Sequence, residues 1–155
     1  MIEIRQATSE DLAALISLYE QLEDMGAAWS NVKFSTRDKI LSKKMLAHLT
    51  DYPDYNVYVA EADSKIVGTL ALFIINSVPN GIPSAIVENV VVSRTWRRKG
   101  VGRQLMQFAI DQSRSKGCYE ITLSSRMNNE AAHRFYRSLG LRKKGYTFAL
   151  KTLPS

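Results

Sequence analysis

Hydrophobic and polar residues follow two different periods along this chain, and these periods predict its elements. Residues 2–7 alternate between apolar and polar side chains, as expected for a strand with one buried face. The segment after Thr8 instead carries apolar residues at helical spacing on one face, namely Leu12, Leu15, Ile16 and Tyr19. Thr8 and Asp11 have the spacing of a capping pair, which favours a helix start at this point.

The middle of the chain is rich in β-branched and aromatic residues and predicts consecutive strands. Three such runs cover residues 56–62, 65–77 and 85–93. Short turn segments join them, with Asp63-Ser64 after the first run and Asn80-Gly81 after the second. The pattern predicts an antiparallel meander. A second helix is predicted ahead of it, over residues 36–49.

The last third of the chain alternates between helices and strands. A helix is predicted after Gly100, followed by a strand over 119–124 and a short helix over 128–140. Residues 144–151 predict a final strand. The strand–helix–strand unit from Ala85 to Ser124 predicts one parallel pair, joined by a right-handed crossover. The predicted fold is therefore a mixed α/β sheet and not a doubly wound parallel sheet.

Composition narrows the class of protein. The 155 residues suit one domain over 1–155, with 45% hydrophobic and 23% charged residues. No apolar run approaches the roughly 20 residues of a membrane span, and the N-terminus lacks a signal-peptide pattern, so we expect a cytoplasmic protein without membrane contact. Cys118 is the single cysteine, which excludes an internal disulfide, and with two histidines it predicts no metal site.

Basic charge concentrates at one loop. The net charge is +6, which suits either nucleic acid or an anionic small molecule. Two glycines, Gly100 and Gly102, lie between a hydrophobic strand and an amphipathic helix, where unpaired N–H groups and the helix dipole favour an anion. Basic residues surround them, namely Arg94, Arg97, Arg98, Lys99 and Arg103. A solvated basic helix start is the simpler alternative.

Known phosphate-binding motifs fit this loop unequally. The spacing of a P-loop is absent, and a dinucleotide-binding fingerprint would need a third glycine where Leu105 stands. The pattern Arg-x-x-Gly-x-Gly is met by Arg97, Gly100 and Gly102. A nucleic-acid-binding module would interleave aromatic residues with the cations, and only Trp96 does so here. We therefore expect no nucleic-acid partner.

Two segments together resemble the GCN5-related N-acetyltransferase (GNAT) superfamily. The first is ENVVVSRTWRRKGVGRQLM, over 88–106, and the second is NNEAAHRFYRSLGL, over 128–141. In the second, the residues that match the family pattern are Asn129, Ala132, Phe135, Tyr136 and Gly140, while Leu141 replaces the usual Phe. The closing segment resembles small-amine acetyltransferases of bacteria and archaea, including ones that act on aminoalkylphosphonates.

The resemblance implies a fold and a donor. The fold would be a mostly antiparallel sheet of six or seven strands with one splayed parallel pair, flanked by about four helices. The donor would be acetyl-CoA, with its pyrophosphate on the glycine loop and its pantetheine arm along Val90–Val92. The residues expected to bind it are Val90, Val91, Val92, Arg97, Arg98, Lys99, Gly100, Val101, Gly102, Arg103, Asn129, Ala132 and Phe135. A purely structural role for the valines is the alternative.

The resemblance also implies a reaction. An alkylamine with a pKa near 10.4 must lose a proton before it attacks, and the leaving thiolate benefits from receiving one. Tyr136 is the expected acid and Glu88 the expected base, or else a ligand of the amine. Glu88 precedes Val90 by two residues, so a regular strand would place both on one face. The acceptor site is expected to include Trp29, Ser125 and Tyr146.

The acceptor itself stays open at this point. A small-molecule primary amine is the favoured interpretation. A lysine or N-terminal amine of a protein, and a regulatory domain that binds CoA without catalysis, are the alternatives. A homodimer is expected by analogy with the superfamily.

Overall fold

The computed structural model describes residues 1–22, 44, 53–76, 79, 81–148 and 150. Its strands are β1 (Glu3–Gln6), β2 (Tyr55–Ala62), β3 (Lys65–Asn76), β4 (Pro83–Val92) and β5 (Ile121–Leu123). Its α-helices are α1 (Leu12–Leu22), α2 (Val101–Ser115) and α3 (Glu130–Arg137). Trp29 and nearly all of the helix predicted over 36–49 lie outside the described residues, although Lys44 within that span is helical.

The strands form one sheet in the order β1-β2-β3-β4-β5. The first three pairings are antiparallel and the β4–β5 pairing is parallel. The predicted mixed sheet and its single parallel pair are therefore confirmed. The described residues contain five strands and three α-helices, fewer than the six or seven strands and about four helices expected. No described helix combines the length and the apolar character needed to cross a membrane.

The predicted C-terminal strand is wrong for residues 144–148, which have no strand structure. An alternating pattern makes a strand only when a neighbouring edge pairs with it and one face becomes buried. Here Tyr146 and Phe148 are 77% and 94% exposed. The segment contacts the rest of the protein through an ion pair, in which the Lys144 ammonium pairs with the Glu120 carboxylate.

Each face of the sheet carries its own hydrophobic cluster. Helices α2 and α3 cover one face, which we call the α2 face, and its core includes Leu70, Leu72, Val87, Leu105 and Met106. Helix α1 covers the opposite face, the α1 face, whose core consists of Ala7, Leu15, Val57, Val59 and Ala71. The sheet thus separates two sides that differ in their helices and in the side chains they present.

Gly68 allows α2 to approach β3 closely. A Cβ atom at this position would lie 3.0 Å from Leu105 Cδ1, from Val101 Cγ1 and from the carbonyl oxygen of Val91. These distances are shorter than ordinary carbon contacts, so any larger residue would push the helix or the neighbouring strand away. This close packing fixes the start of α2 against the end of β4.

The predicted start of the first helical segment is confirmed, and an ion pair adds to the capping contact there. Asp11 Oδ2 accepts the backbone N–H of Thr8 at 2.8 Å. Both oxygens of Asp11 also accept from Arg5, at 2.7 and 2.8 Å, and Arg5 Nε donates to Glu61. The guanidinium lowers the pKa of the Asp11 carboxyl, against the opposing effect of its burial. The pair ties the helix start to β1 and β2.

Candidate active site

The pairing of the two parallel strands stops halfway along β4. Residues Ala85–Val87 pair with Ile121–Leu123, and β5 ends there. Residues 88–92 of β4 continue beyond this point and pair with β3. The remaining edge of β4 carries backbone N–H and C=O groups that strand geometry directs outward. An extended amide-containing ligand can therefore bind along this edge as an additional strand would.

A β-bulge lies in the same half of β4. Ala71 faces Glu88 and Thr69 faces Val91, so β4 advances three residues where β3 advances two. Asn89 absorbs the additional residue with a φ of 52°, in the left-handed region. Asparagine tolerates this conformation better than most side chains. The bulge breaks the alternation of side chains at this point.

The expectation that Glu88 and Val90 share one face is therefore wrong. Val87, Val90 and Val92 all pack in the cluster on the α2 face. Glu88 pairs with Ala71, which belongs to the core on the α1 face. The prediction from the spacing was wrong because residues two apart share a face only in a regular strand. Glu88 is exposed on the α1 face, and Val90 lies beneath α2 and α3.

Tyr136 occupies the α2 face. It is half-buried against the core, with its ring 5.3 Å from that of Phe135. Burial raises the pKa of the Tyr136 phenol above its ordinary value of 10.0, so the hydroxyl keeps its proton at neutral pH. The group can therefore act as a proton donor. Tyr136 and Glu88 thus lie on opposite sides of the sheet.

Asn129 has a role that the sequence pattern did not predict. Its side-chain oxygen accepts the N–H of Ala132 at 3.1 Å and so caps the start of α3. This hydrogen bond fixes the helix that carries Phe135 and Tyr136. Asparagine is a preferred N-cap residue, and its position just ahead of the helix is the feature of the sequence that could have indicated this role. Contact of Asn129 with a ligand remains a prediction.

The glycine loop has the backbone geometry of an anion site. Gly100 caps α2 with a φ of 84°, and its carbonyl accepts the N–H of Gln104 in the first helical hydrogen bond. The N–H groups of residues 101–103 consequently have no partner within the helix. They point out of the helix start, where the dipole favours negative charge.

Gly102 leaves room above this helix start. A Cβ atom there would lie 3.5 Å from Phe135 Cζ and 3.6 Å from Val92 Cγ2, which are ordinary contacts. Packing within the protein therefore permits an alanine at this position. Glycine would be better than alanine at this position if a ligand approaches the backbone closely, because a methyl group would then be in its way. Together with the open edge of β4, the loop fits a long ligand that carries amides at one end and phosphates at the other.

Several loop cations also have structural partners. Arg97 Nε donates to the Val92 carbonyl at 3.1 Å, which holds the loop against the end of β4. Arg103 donates to Ser138 Oγ at 2.9 Å and links α2 to the end of α3. The Lys99 ammonium lies 4.8 Å from the centre of the Trp96 ring. Arg98 is exposed and has a φ of 64°. The basic side chains thus hold the loop in its conformation in addition to giving it positive charge.

The remaining predicted site residues lie in different places. Val91 and Val101 are buried core residues, so only their backbones can face a ligand. Ser125 is half-buried just after β5. Tyr146 lies on the exposed C-terminal segment, with its ring 5.1 Å from the Lys143 ammonium. Trp29 lies outside the described residues.

An aromatic group that the sequence pattern did not predict lies beside Glu88. Tyr19, Tyr55 and Phe73 are half-buried on the α1 face. Burial, with a smaller effect of the Glu88 carboxylate, raises the pKa of the Tyr55 phenol. Tyr19 was predicted only as a core position of its helix. No sequence motif indicated the group, because its members come from three separate elements.

Known proteins share both the sequence pattern and the fold of this chain. The profile described as the Acetyltransferase (GNAT) family matches residues 20–141. The chain is 27% identical over 146 residues to the glucosamine 6-phosphate N-acetyltransferase of Trypanosoma brucei brucei, covering 91% of this chain and 89% of that protein. It is 35% identical over 102 residues to a streptothricin acetyltransferase of Escherichia coli, covering 65% and 56%. A solved acetyltransferase structure from Agrobacterium tumefaciens str. C58 has a TM-score of 0.83 at 27% identity, covering 97% and 99%.

Proposed function

The chain belongs to the GNAT acetyltransferase family and is an N-acetyltransferase, and on this premise we propose that it moves the acetyl group of acetyl-CoA to a primary amine of a small molecule. The two substrates would be bound together, and the amine would attack directly. One observation carries the proposal. The open half of β4 ends at the glycine loop and has Tyr136 on one face and Glu88 on the other.

The donor site would use mostly backbone. Acetyl-CoA, when bound, supplies the acetyl group as an activated thioester. The N–H and C=O groups of Val90–Val92 would pair with its amides along the open edge of β4. The N–H groups of residues 101–103 would hold its phosphates, with nearby charge from Arg98 and Lys99. A backbone N–H near Val91 or Val92 would also donate to the thioester oxygen as negative charge develops there.

Tyr136 would provide the proton for the leaving sulfur. Its burial keeps the phenol neutral over the physiological pH range. The residue lies on the α2 face, the same face as the side chains of Val90 and Val92. A proton at the tyrosine hydroxyl would pass to the sulfur as the carbon–sulfur bond breaks, which avoids the release of a free thiolate, and the second proton that the attacking nitrogen loses on becoming an amide would restore the hydroxyl.

Glu88 would act on the amine from the opposite face. Its carboxylate is exposed and can pair with an ammonium group. An N–H bond of the ammonium would then break, with the proton passing to the carboxylate, directly or through water, and the nitrogen lone pair becoming free to attack. The bulge at Asn89 supports this division, because it returns Val90 and Val92 to the face that carries Tyr136 while Glu88 keeps the opposite face.

Two of the relatives support a small acceptor. The trypanosomal protein, matched over most of its length, is named for an amino-sugar phosphate, and the Escherichia coli protein for the antibiotic streptothricin. Both names refer to small molecules. We also propose that residues 1–155 form one domain and that the protein acts in the cytoplasm. We further propose that the protein is a homodimer, and light scattering during gel filtration would measure this state.

Thermal unfolding with and without acetyl-CoA tests the donor. At roughly a hundred micromolar acetyl-CoA, well above a micromolar Kd, the unfolding midpoint should rise by several degrees. Release of free thiol should then be measured with a panel of primary alkylamines, amino sugars and lysine peptides. Transfer to the small amines is the expected result. An unchanged midpoint would exclude the donor, and transfer confined to the peptides would exclude the small-molecule acceptor.

A further inference from the structure

Three aromatic rings and one carboxylate form a group on the α1 face of the sheet, beside the open half of β4. Tyr55 and Phe73 are cross-strand partners whose ring centres lie 4.1 Å apart, with their planes inclined by 35°. Glu88 is paired with Ala71, which precedes Phe73 by two residues on the same face of β3. Burial raises the pKa of the Tyr55 phenol and the Glu88 charge adds to this rise, so the carboxylate lies near that ring.

Helix α1 supplies the third ring. Tyr19 packs against the core of the α1 face. Burial, with a smaller effect of the neighbouring Tyr55 phenol, raises the pKa of Tyr19 to about 12. Its hydroxyl lies within hydrogen-bonding reach of the Thr69 side chain, which itself donates to the Tyr58 carbonyl at 2.9 Å. Tyr19 is therefore held on β3, next to the pair formed by Tyr55 and Phe73.

The charges of the group favour a cation. Both phenols keep their protons at neutral pH, because their pKa values lie above the ordinary value of 10.0. The Glu88 carboxylate is exposed and carries the negative charge. The faces of aromatic rings attract a cation as well, and more strongly where water is partly excluded. The half-buried rings and the carboxylate thus attract the same kind of ligand.

We propose that Tyr19, Tyr55 and Phe73 join Glu88 in recognising the acceptor as a protonated alkylamine, with apolar carbons next to its nitrogen. The ammonium would pair with the carboxylate while the adjacent CH₂ groups contact the rings. This proposal rests on the proposed function, in which Glu88 faces the acceptor. It adds the residues that select the acceptor and the chemical class they select.

Binding of n-butylammonium and of butan-1-ol tests the proposal without any acetyl transfer. The two probes have nearly the same shape and differ in charge. Ligand-observed NMR would give the Kd of each for the wild-type protein, Tyr55→Leu, Phe73→Leu and Tyr119→Leu. The wild type should bind the ammonium at least about fivefold more tightly than the alcohol. Tyr55→Leu and Phe73→Leu should each lose most of that preference.

Tyr119→Leu is the matched control, because Tyr119 is an exposed tyrosine ahead of β5 and should leave the preference unchanged. Circular dichroism identifies any variant that unfolds, and the other leucine variant then provides the test. A wild-type protein without preference for the ammonium would overturn the proposal, as would leucine variants that keep it. Failure of the proposed function is a separate result, since it is measured by acetyl-CoA binding and thiol release.

Discussion

Glu88 and Val90 lie on opposite faces of the sheet, although two positions along a regular strand would place them on the same face. The bulge at Asn89 causes this inversion. Glu88 directly follows Val87 and takes the α1 face by regular alternation, whereas the bulge moves Val90 to the face of α2 and α3. Asn89 therefore decides on which face of the sheet the side chains of Val90 and Val92 lie.

Replacing Asn89 tests how strongly the bulge depends on its conformation. Asn89→Gly should keep the bulge, because glycine adopts a φ of 52° readily. Asn89→Val should lower the free energy of unfolding by about 1–2 kcal/mol, since a β-branched residue is strained there. Urea denaturation measures both. Equal stability of the valine and glycine variants would contradict a left-handed Asn89.

Tyr136→Phe isolates the hydroxyl of the expected acid. The ring and its contact with Phe135 remain, so acetyl-CoA should bind with unchanged Kd. We expect kcat to fall by roughly a hundredfold, because the leaving sulfur loses its proton donor. Steady-state kinetics and calorimetry measure the two quantities. Tyr119→Phe serves as the control, and a Tyr136→Phe enzyme with wild-type kcat would remove Tyr136 from the mechanism.

Gly102→Ala separates ligand approach from protein packing. The added methyl group makes only ordinary contacts with Phe135 and Val92, so the free energy of unfolding should change by less than about 1 kcal/mol. The same methyl should block phosphates at the start of α2 and weaken acetyl-CoA binding by roughly tenfold. Calorimetric titration measures the affinity. Gly145→Ala, with open space around it, is the control.

Gly68→Ala, unlike Gly102→Ala, should lower the stability of the protein. Its Cβ atom would meet Leu105, Val101 and the Val91 carbonyl at 3.0 Å each. We expect a loss of about 1–3 kcal/mol in the free energy of unfolding, because a well-packed interface must open. Urea denaturation beside Gly145→Ala provides the comparison. Wild-type stability would show that α2 can shift away from β3 at little cost.

The Arg5–Asp11 pair should make stability depend on pH in the acid range. The folded protein holds the pKa of Asp11 below the ordinary value of 3.8, chiefly through Arg5. Its contribution is therefore complete above the unfolded pKa and is lost as the pH falls through the folded one. Asp11→Asn should lower the free energy of unfolding at neutral pH by about 2 kcal/mol and flatten this acid dependence.

Asp111→Asn is the control for that experiment. Asp111 also pairs with an arginine, Arg114, but its side chain is 58% exposed, compared with 6% for Asp11. An exposed pair of this kind contributes little to stability. Denaturation curves between neutral pH and about pH 3 would compare the two variants. Similar losses in both would show that the burial of Asp11 adds nothing.

Local patterns were sufficient for much of this protein. The alternation of residues 2–7, the capping pair of Thr8 and Asp11, and the run of β-branched residues before Gly100 predicted elements that the structure contains. These signals act between residues close in sequence, so the chain determines them directly. The resemblance to the acetyltransferase family rested on such local motifs too, and the family is confirmed.

Tertiary structure decided what depends on partners distant in sequence. The face of Val90 relative to Glu88 depends on a bulge in the pairing with β3, and the group of Tyr19, Tyr55 and Phe73 forms only when α1, β2 and β3 pack together. Residues 144–148 alternate like a strand but form none in the structure. The sequence by itself determined the elements and the family, because helix and strand periods are local. The fold decided which side chains meet across the sheet, because pairing register and packing join segments that sequence separates.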